Sequence, residues 1–203
     1  MFNLLTRVLP ATAGRIVFKG EDVGRLRPAE VARLGMVRSF QVSAVFPKMT
    51  VLDNVRVALQ RRLGGSYRFW LPASRLSALD ERALELLAAV DLAGLAGTPA
   101  VELPYGKKRA LELATTLALE PDLLLLDEPT QGMGHEDVGR VAALIRKASA
   151  GRTVLMVEHN LSVVADLCGT ISVLARGRVI AEGGYDEVAR DRAVIEAYLG
   201  VPA

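Results

Sequence analysis

Two adjacent carboxylates, Asp127 and Glu128, directly follow a run of four leucines at 123–126. A fully apolar run is typical of a strand covered on both faces, and this strand would deliver both carboxylates to one edge of a sheet. An aspartate there can hold the hydration shell of magnesium, and a glutamate can orient or deprotonate a water molecule that attacks a γ-phosphate. The alternative is a buried strand that simply ends in a charged turn.

A second apolar run, TVLMV at 153–157, is followed by Glu158 and His159. A histidine at the carboxyl end of a strand is well placed to touch a γ-phosphate. A single histidine at such a position is also compatible with an ordinary surface residue.

Two further groups could bind a phosphate or a metal. Tyr105 and Gly106 stand at the start of a predicted helix, where free backbone N–H groups and the positive end of the helix dipole favour an anion. Gln41 follows a short strand-like run, and its amide could ligate magnesium and sense the γ-phosphate. An ordinary helix start and a loop glutamine are the alternatives. The order and spacing of all four groups together favour the functional interpretation.

The elements that would position these residues alternate between strand and helix patterns. Before the leucine run, GKKRALELATTLALEP at 106–121 places Leu111, Ala114 and Ala118 on one helical face. Before TVLMV, EDVGRVAALIRKASAG at 136–151 has helical spacing and stops at a glycine. The succession predicts a parallel α/β sheet with ligands at the carboxyl ends of its strands.

The remaining segments predict smaller elements. Residues 50–95 are helical in pattern and are interpreted as part of a helical subdomain inserted into the α/β core. TISVLARGRVIAEGG at 170–184 predicts a hairpin that turns at Arg176 and Gly177. The tail from residue 185 predicts one or two short helices.

The composition is that of one globular chain and excludes several classes of protein. With 203 residues and 51% hydrophobic content, the chain can bury one substantial core. A net charge of +2 gives no reason to expect a nucleic-acid partner. Cys168 is the only cysteine, which excludes a disulfide framework and favours a reducing cytosolic setting. No uncharged apolar run approaches the roughly 20 residues needed to cross a bilayer, so any membrane role would come through a partner.

Five segments stand in a fixed order along the chain: SFQ at 39–41, LPYGKKR at 103–109, LLLLDEP at 123–129, QGMGHED at 131–137 and VEH at 157–159. In this order they resemble the Q-loop, signature, Walker B, D-loop and switch histidine of the ATPase subunits of ATP-binding cassette (ABC) transporters. Within that family, the tyrosine in the signature, EHNLSVV and the closing IEAYLG are most similar to importers of branched-chain amino acids.

The resemblance implies a fold, two cofactors and a role for each site residue. The fold would be of the P-loop NTPase (RecA-like) type, with residues 1–49 and 109–203 as α/β core and residues 50–108 as a helical subdomain ending in the signature. ATP and Mg²⁺ are the implied cofactors. The implied roles are magnesium ligation by Gln41 and Asp127, contact of Tyr105, Gly106 and Lys107 with the γ-phosphate held on an opposing subunit, base catalysis by Glu128, and a γ-phosphate switch at His159.

The resemblance also implies partners and a location. They are a second ABC ATPase subunit, transmembrane permease subunits and, indirectly, a substrate-binding protein, at the cytoplasmic face of the inner membrane. The surface that couples to the permease would run from Val42 to Val55. An ABC ATPase of repair or translation is disfavoured, because those proteins usually carry coiled-coil insertions or a second cassette.

The sequence departs from the family pattern at three places. Pro104 and Tyr105 stand where a serine and a glycine are usual, and Gly134 stands where an aspartate is common. The phosphate-binding loop, G-x-x-x-x-G-K followed by Ser or Thr, does not occur in these 203 residues. Met1 falls just past the expected lysine, so the preferred interpretation is a truncated sequence that lacks the N-terminal strands and this loop. The alternative is a real short protein, catalytically dead, that contributes only its signature to another ATPase's site.

Overall fold

A computed structural model of the chain describes residues 1–39, 45–60 and 78–199. The parts of the chain within those ranges form two compact units, Met1–Val157 and Glu158–Ala203. The helices in the described ranges are α1 (Phe2–Leu5), α2 (Pro28–Arg33), α3 (Val51–Leu59), α4 (Asp80–Ala89), α5 (Tyr105–Leu117), α6 (His135–Ala148), α7 (Leu161–Leu167), α8 (Tyr185–Val188) and α9 (Arg192–Leu199). The strands are β1 (Val17–Phe18), β2 (Glu21–Asp22), β3 (Met36–Arg38), β4 (Leu123–Asp127), β5 (Thr153–Val157), β6 (Ile171–Ala175) and β7 (Arg178–Gly183).

The first unit is built around a parallel sheet in the order β3-β4-β5. Leu124 of β4 lies opposite Val37 of β3 and opposite Val154 of β5, so β4 has a hydrogen-bonded neighbour on each side. Leu124, Leu125 and Leu126 are buried, because the strand is enclosed within its sheet and is covered on its faces. The predicted parallel α/β core is confirmed, and the predicted helices α5 and α6 precede β4 and β5.

The expectation of full burial is wrong for TVLMV. In β5, Val154, Leu155 and Met156 are half-buried, and Thr153 and Val157 are exposed. The reason is that β5 pairs with β4 along one side only, within the part of the chain that the structure describes. An apolar run of five residues thus predicted the strand correctly but not its place in the sheet.

One face of the sheet carries a compact apolar cluster. Its buried members come from α1, the 3-10 turn after β2, α2 and the sheet, and Leu155 packs against them. Helix α1, the FNLL turn, is therefore seated on the sheet by its buried Phe2. The buried members are Phe2, Val23, Val31, Met36 and Leu125.

Helices α3, α4 and α5 pack against one another, as expected for a helical subdomain. The α3–α4 contact is held by Arg56, which donates to Asp53 at 2.7 Å on its own helix and to Asp80 at 2.6 Å on α4. The bounds 50–108 of this subdomain stay a prediction, and residues 61–77 lie outside the described part of the chain.

Acidification should weaken this three-residue bridge. The hydrogen bond from Arg56 lowers the pKa of Asp80, and hydrogen bonds from Thr50 and then Arg56 lower the pKa of Asp53. A carboxyl whose pKa is lowered by folding stabilises the fold above its unfolded pKa, and that contribution is lost as the pH falls through the folded value. We therefore expect the free energy of unfolding to decline below about pH 4, the ordinary range of an aspartate.

The variant Asp80→Asn should show a smaller decline over that pH range in urea unfolding experiments. Glu81→Gln is the matched control, because Glu81 also lies in the first turn of α4 but makes no ion pair with Arg56. Equal pH profiles for the two variants would rule out the Arg56 bridge as the source of the acid sensitivity.

The second unit contains the predicted hairpin and tail. Strands β6 and β7 pair antiparallel, and Arg176 and Gly177 both have positive φ, 50° and 78°. Two such residues form a type I′ turn, whose twist suits a two-residue hairpin. The tail forms two short helices, α8 and α9.

A candidate nucleotide site at the ends of the parallel strands

The backbone turns sharply where β4 ends. Glu128 has a φ of 45°, a left-handed conformation that is uncommon for a residue other than glycine. Its N–H donates to the carbonyl of Val157 at 2.9 Å, which continues the β4–β5 pairing by one residue. The glutamate is therefore held at a defined place at the carboxyl edge of the sheet, where the sequence predicted it.

Asp127 is held by an arginine that sequence reasoning missed. Arg38 of β3 donates from Nη2 to Asp127 Oδ2, and only 14% and 15% of the two side chains are exposed. The sequence contains a feature that singles out Arg38, because this charged residue directly follows the apolar Met36 and Val37. Recognising the pair requires the register of β3 against β4, which the sequence does not give.

The surroundings of Asp127 suit magnesium. Mg²⁺ is usually bound by one or two carboxylates and by phosphate oxygens, and it keeps several waters. Asp127 Oδ1 accepts no hydrogen bond from the described residues, which also contain no cluster of three or more His, Cys, Asp or Glu residues that could cage a metal. Gln41, the second predicted ligand, lies outside the described residues.

The start of α5 suits a phosphate. Tyr105, Gly106 and Lys107 form its first turn, and the first N–H bonded along the helix is that of Lys108, which donates to Pro104 at 3.0 Å. The three preceding N–H groups have no partner within a helix and face its N-terminal end. Lys107 is exposed. Amide donors, a helix dipole and a lysine together favour an anion.

Tyr105 connects this helix start to the loop after Glu128. Its hydroxyl donates to the carbonyl oxygen of Gln131 at 3.1 Å and accepts from Arg109 Nη2 at 3.0 Å. The Arg109 guanidinium also lies 5.4 Å from the centre of the Tyr105 ring, and it pairs with the buried Glu112 at 2.8 Å. The tyrosine that departs from the family pattern thus makes specific contacts between two of the predicted motifs.

Gly106 leaves little space for a side chain beside helix α6. A Cβ at this position would lie 3.0 Å from Asp137 Oδ1 in the first turn of α6, so even alanine would require the partly exposed Asp137 carboxylate to shift slightly. The sequence had singled out Gly106 only for its exposed N–H.

His159 lies in the second unit, two residues after the end of β5. About 64% of its side chain is exposed, and its Nδ1 lies 3.8 Å from Oε2 of the buried Glu158. The same Glu158 oxygen accepts from the backbone N–H groups of His159 and Asn160 at 2.8 and 3.1 Å. Glu158 therefore holds the backbone on which an accessible histidine is presented.

Within the described ranges, no helix combines the length and the apolar character that crossing a bilayer requires.

Two family models match the chain. The model described as ABC transporter matches residues 1–131, and one described as branched-chain amino acid ATP-binding cassette transporter matches residues 178–203. The chain is 35% identical over 207 residues to the high-affinity branched-chain amino acid transport ATP-binding protein BraF of Pseudomonas aeruginosa, covering 98% of this chain and 81% of that protein. It is 33% identical over 208 residues to the corresponding protein LivG of Escherichia coli K12, with the same coverage.

Solved structures of ATP-binding cassettes match the fold of this chain. The ADP conformation of MJ1267, an ATP-binding cassette of an ABC transporter, matches with a TM-score of 0.82 and 28% identity, over 98% of this chain and 82% of that chain. A nucleotide-free ATP-binding cassette from an ABC transporter matches with a TM-score of 0.80 and 27% identity, over 97% and 81%. These matches agree with the order of the motifs and with the parallel strand β4 that leads to Asp127 and Glu128. The chain therefore belongs to the ATP-binding cassette family of ABC transporters.

Proposed function

We propose that the chain is the ATP-binding and ATP-hydrolysing subunit of an importer of branched-chain amino acids. The observation that carries this proposal is the arrangement at the carboxyl edge of the sheet. There Glu128 directly follows Asp127, the last residue of β4, and the Tyr105 hydroxyl connects the start of α5 to the loop after them. The substrate class is supported by the relatives BraF and LivG, which are branched-chain amino acid transport ATP-binding proteins.

Each site residue has a proposed task. ATP, bound with Mg²⁺, supplies the phosphoanhydride bond whose hydrolysis drives the transporter. Asp127 and Gln41 would hold the ion, in part through water, and Glu128 would orient and deprotonate the attacking water. The N–H groups of Tyr105, Gly106 and Lys107 would bind the γ-phosphate carried by an opposing subunit. His159 would sense the same phosphate.

The proposed partners are a second ATPase subunit and transmembrane permease subunits, with a substrate-binding protein acting through the permease, at the cytoplasmic face of the inner membrane. Part of the proposed coupling surface, residues 45–55, is described by the structure. Phe46 is 52% exposed there although it is large and apolar. Buried Asn54 fixes its backbone, accepting from the Phe46 N–H at 2.7 Å and donating to its carbonyl at 3.1 Å.

Val101 adds a second apolar side chain near this segment. It is 57% exposed, and its N–H donates to Pro47 at 2.9 Å, so the two chain segments are neighbours. Contiguous exposed apolar patches are typical of surfaces that another protein covers, and Phe46 and Val101 would contribute to such a patch.

Leucine uptake by membrane vesicles containing the permease tests the proposal. Uptake should require both ATP and this chain, and Phe46→Ser should reduce co-purification with the permease about tenfold, because a large apolar anchor is lost. Val179→Ser is the matched control, since Val179 of β7 is equally exposed, at 59%, but lies outside the proposed surface. Uptake that is independent of the chain would refute the proposed function, and equal effects of the two substitutions would refute the proposed surface.

A second candidate function rests on the start of α5, whose first-turn N–H groups have no partner within the helix. Through these groups the chain would complete the site of a partner ATPase without hydrolysing ATP itself. Adding the chain to that partner should then raise ATP turnover, and Glu128→Gln in this chain should leave that gain unchanged. A loss of the gain would exclude the second candidate.

A further inference from the structure

Arg38 is brought next to Asp127 by the register of the sheet. Arg38 of β3 lies opposite Leu125 of β4. Because side chains alternate between the faces of a strand, Asp127, two residues beyond Leu125, lies on the same face as Leu125 and as Arg38. This is the face that α1 covers through Phe2.

The guanidinium of Arg38 makes three contacts. Nη2 donates to Asp127 Oδ2, and Nη1 donates to Asn3 Oδ1 of α1 at 2.6 Å. The guanidinium carbon lies 5.6 Å from the centre of the Phe2 ring, a cation–π distance. Nε is buried without a hydrogen-bond partner among the described residues, so both donating contacts come from the outer nitrogens.

These contacts determine the position of both side chains. A charge-assisted hydrogen bond is stronger than a neutral one, and its strength increases with burial. The planar guanidinium, fixed by the Asn3 oxygen and the Phe2 ring, presents Nη2 in one direction only. Asp127 must therefore orient Oδ2 towards Arg38, and Oδ1 accepts no hydrogen bond from the described residues.

We propose that Arg38 is a positioning residue for Asp127, holding Oδ2 so that Oδ1 is available to the magnesium hydration shell and joining the carboxylate to helix α1 through Asn3. The magnesium part of this inference rests on the proposed function, whereas the pairing does not. A carboxylate that already has an arginine partner is a rigid ligand, because it cannot turn both oxygens towards the ion.

The pairing is tested by urea unfolding of the chain itself. Arg38→Gln and Asp127→Asn should each lower the ratio of folded to unfolded protein about tenfold or more, because each leaves a largely buried charge without its partner. If the two effects were independent, the folded-to-unfolded ratio of the double variant would fall by the product of the two single effects. We expect the measured ratio to be about ten times higher than that product predicts. Arg192→Gln and Glu196→Gln form the control cycle, because Arg192 is 93% exposed and that pair should be additive within about twofold. Additivity at Arg38 and Asp127 would overturn the proposal.

The positioning role is tested by steady-state kinetics in the assembled transporter. Arg38→Gln should lower kcat about tenfold while the KM for ATP changes less than about twofold, since the residue acts through Asp127 rather than on the nucleotide. Arg38→Lys should recover only part of kcat, because an ammonium group lacks the fork that serves Asn3 and Asp127 together. Full activity of Arg38→Gln would overturn the positioning role. A wild-type assembly without any ATP turnover would instead refute the proposed function, and the unfolding cycle would still decide whether the pair exists.

Discussion

Replacement of Glu128 by glutamine is expected to abolish most ATP turnover in the assembled transporter and to leave ATP binding intact. The amide has nearly the same shape as the carboxylate but cannot accept the proton of the attacking water. General base catalysis typically contributes about 10²- to 10⁴-fold, so kcat should fall by about that factor. The backbone should be unaffected, because the φ of 45° and the hydrogen bond from the Glu128 N–H to Val157 do not depend on the carboxylate.

The measurement is kcat at saturating ATP together with nucleotide affinity measured without turnover. Glu120→Gln is the matched control. Glu120 also has a positive φ, 51°, and it lies near the opposite, amino-terminal end of β4. Turnover should remain within about twofold in this control. Unchanged turnover in Glu128→Gln would show that Glu128 is not the base, and lost binding would assign it to holding the nucleotide.

Gly35→Ala should be the most destabilising glycine substitution that the structure allows us to identify. Gly35 has a φ of 103°, and a Cβ there would lie 2.1 Å from Asp122 Oδ2 and 3.1 Å from its carboxyl carbon. The carbonyl of Gly35 also accepts from the N–H groups of Asp122 and Leu123 at 2.9 and 3.0 Å, which joins the end of α2 to the start of β4. Backbone strain at this φ, with displacement of the Asp122 carboxylate, should lower the free energy of unfolding by about 1–3 kcal/mol.

Urea unfolding with Gly139→Ala as the control separates this effect from a general effect of removing glycine. Gly139 lies within α6, and a Cβ there meets nothing within 4 Å. Alanine in an exposed helical position should raise the free energy of unfolding by about 0.5–1 kcal/mol. We therefore expect Gly35→Ala to lower the free energy of unfolding and Gly139→Ala to raise it. Equal stability of both variants would contradict the assigned strain at Gly35.

The parts of the site that depend on neighbouring residues in the chain could be predicted from the sequence. The leucine run predicted β4, and the two carboxylates had to follow it at the carboxyl edge of a parallel sheet. The start of α5 was predicted equally well, because the helical spacing of apolar residues begins there. Predicting these features requires only the local spacing of apolar residues along the chain.

The parts that depend on long-range pairing could not be predicted. Arg38 and Asp127 are 89 residues apart, and Tyr105 and Gln131 are 26 apart, so each contact requires a sheet register or a helix orientation. The half-burial of β5 likewise depends on how many neighbours the strand has, a property its five residues do not encode. The proposed roles of all the site residues stay predictions, and Gln41 lies outside the described residues.

With the proposed role of Glu128 as the catalytic base, its left-handed backbone brings stability and activity into conflict at this one residue. A non-glycine residue in that conformation costs about 1–3 kcal/mol, and the cost is relieved only by residues that tolerate positive φ, glycine above all. Selection for a more stable fold would favour glycine at position 128, and selection for ATP turnover would exclude it. In this family, a copy released from the need to hydrolyse ATP would be expected to lose its glutamate at this turn early, gaining stability as it does so.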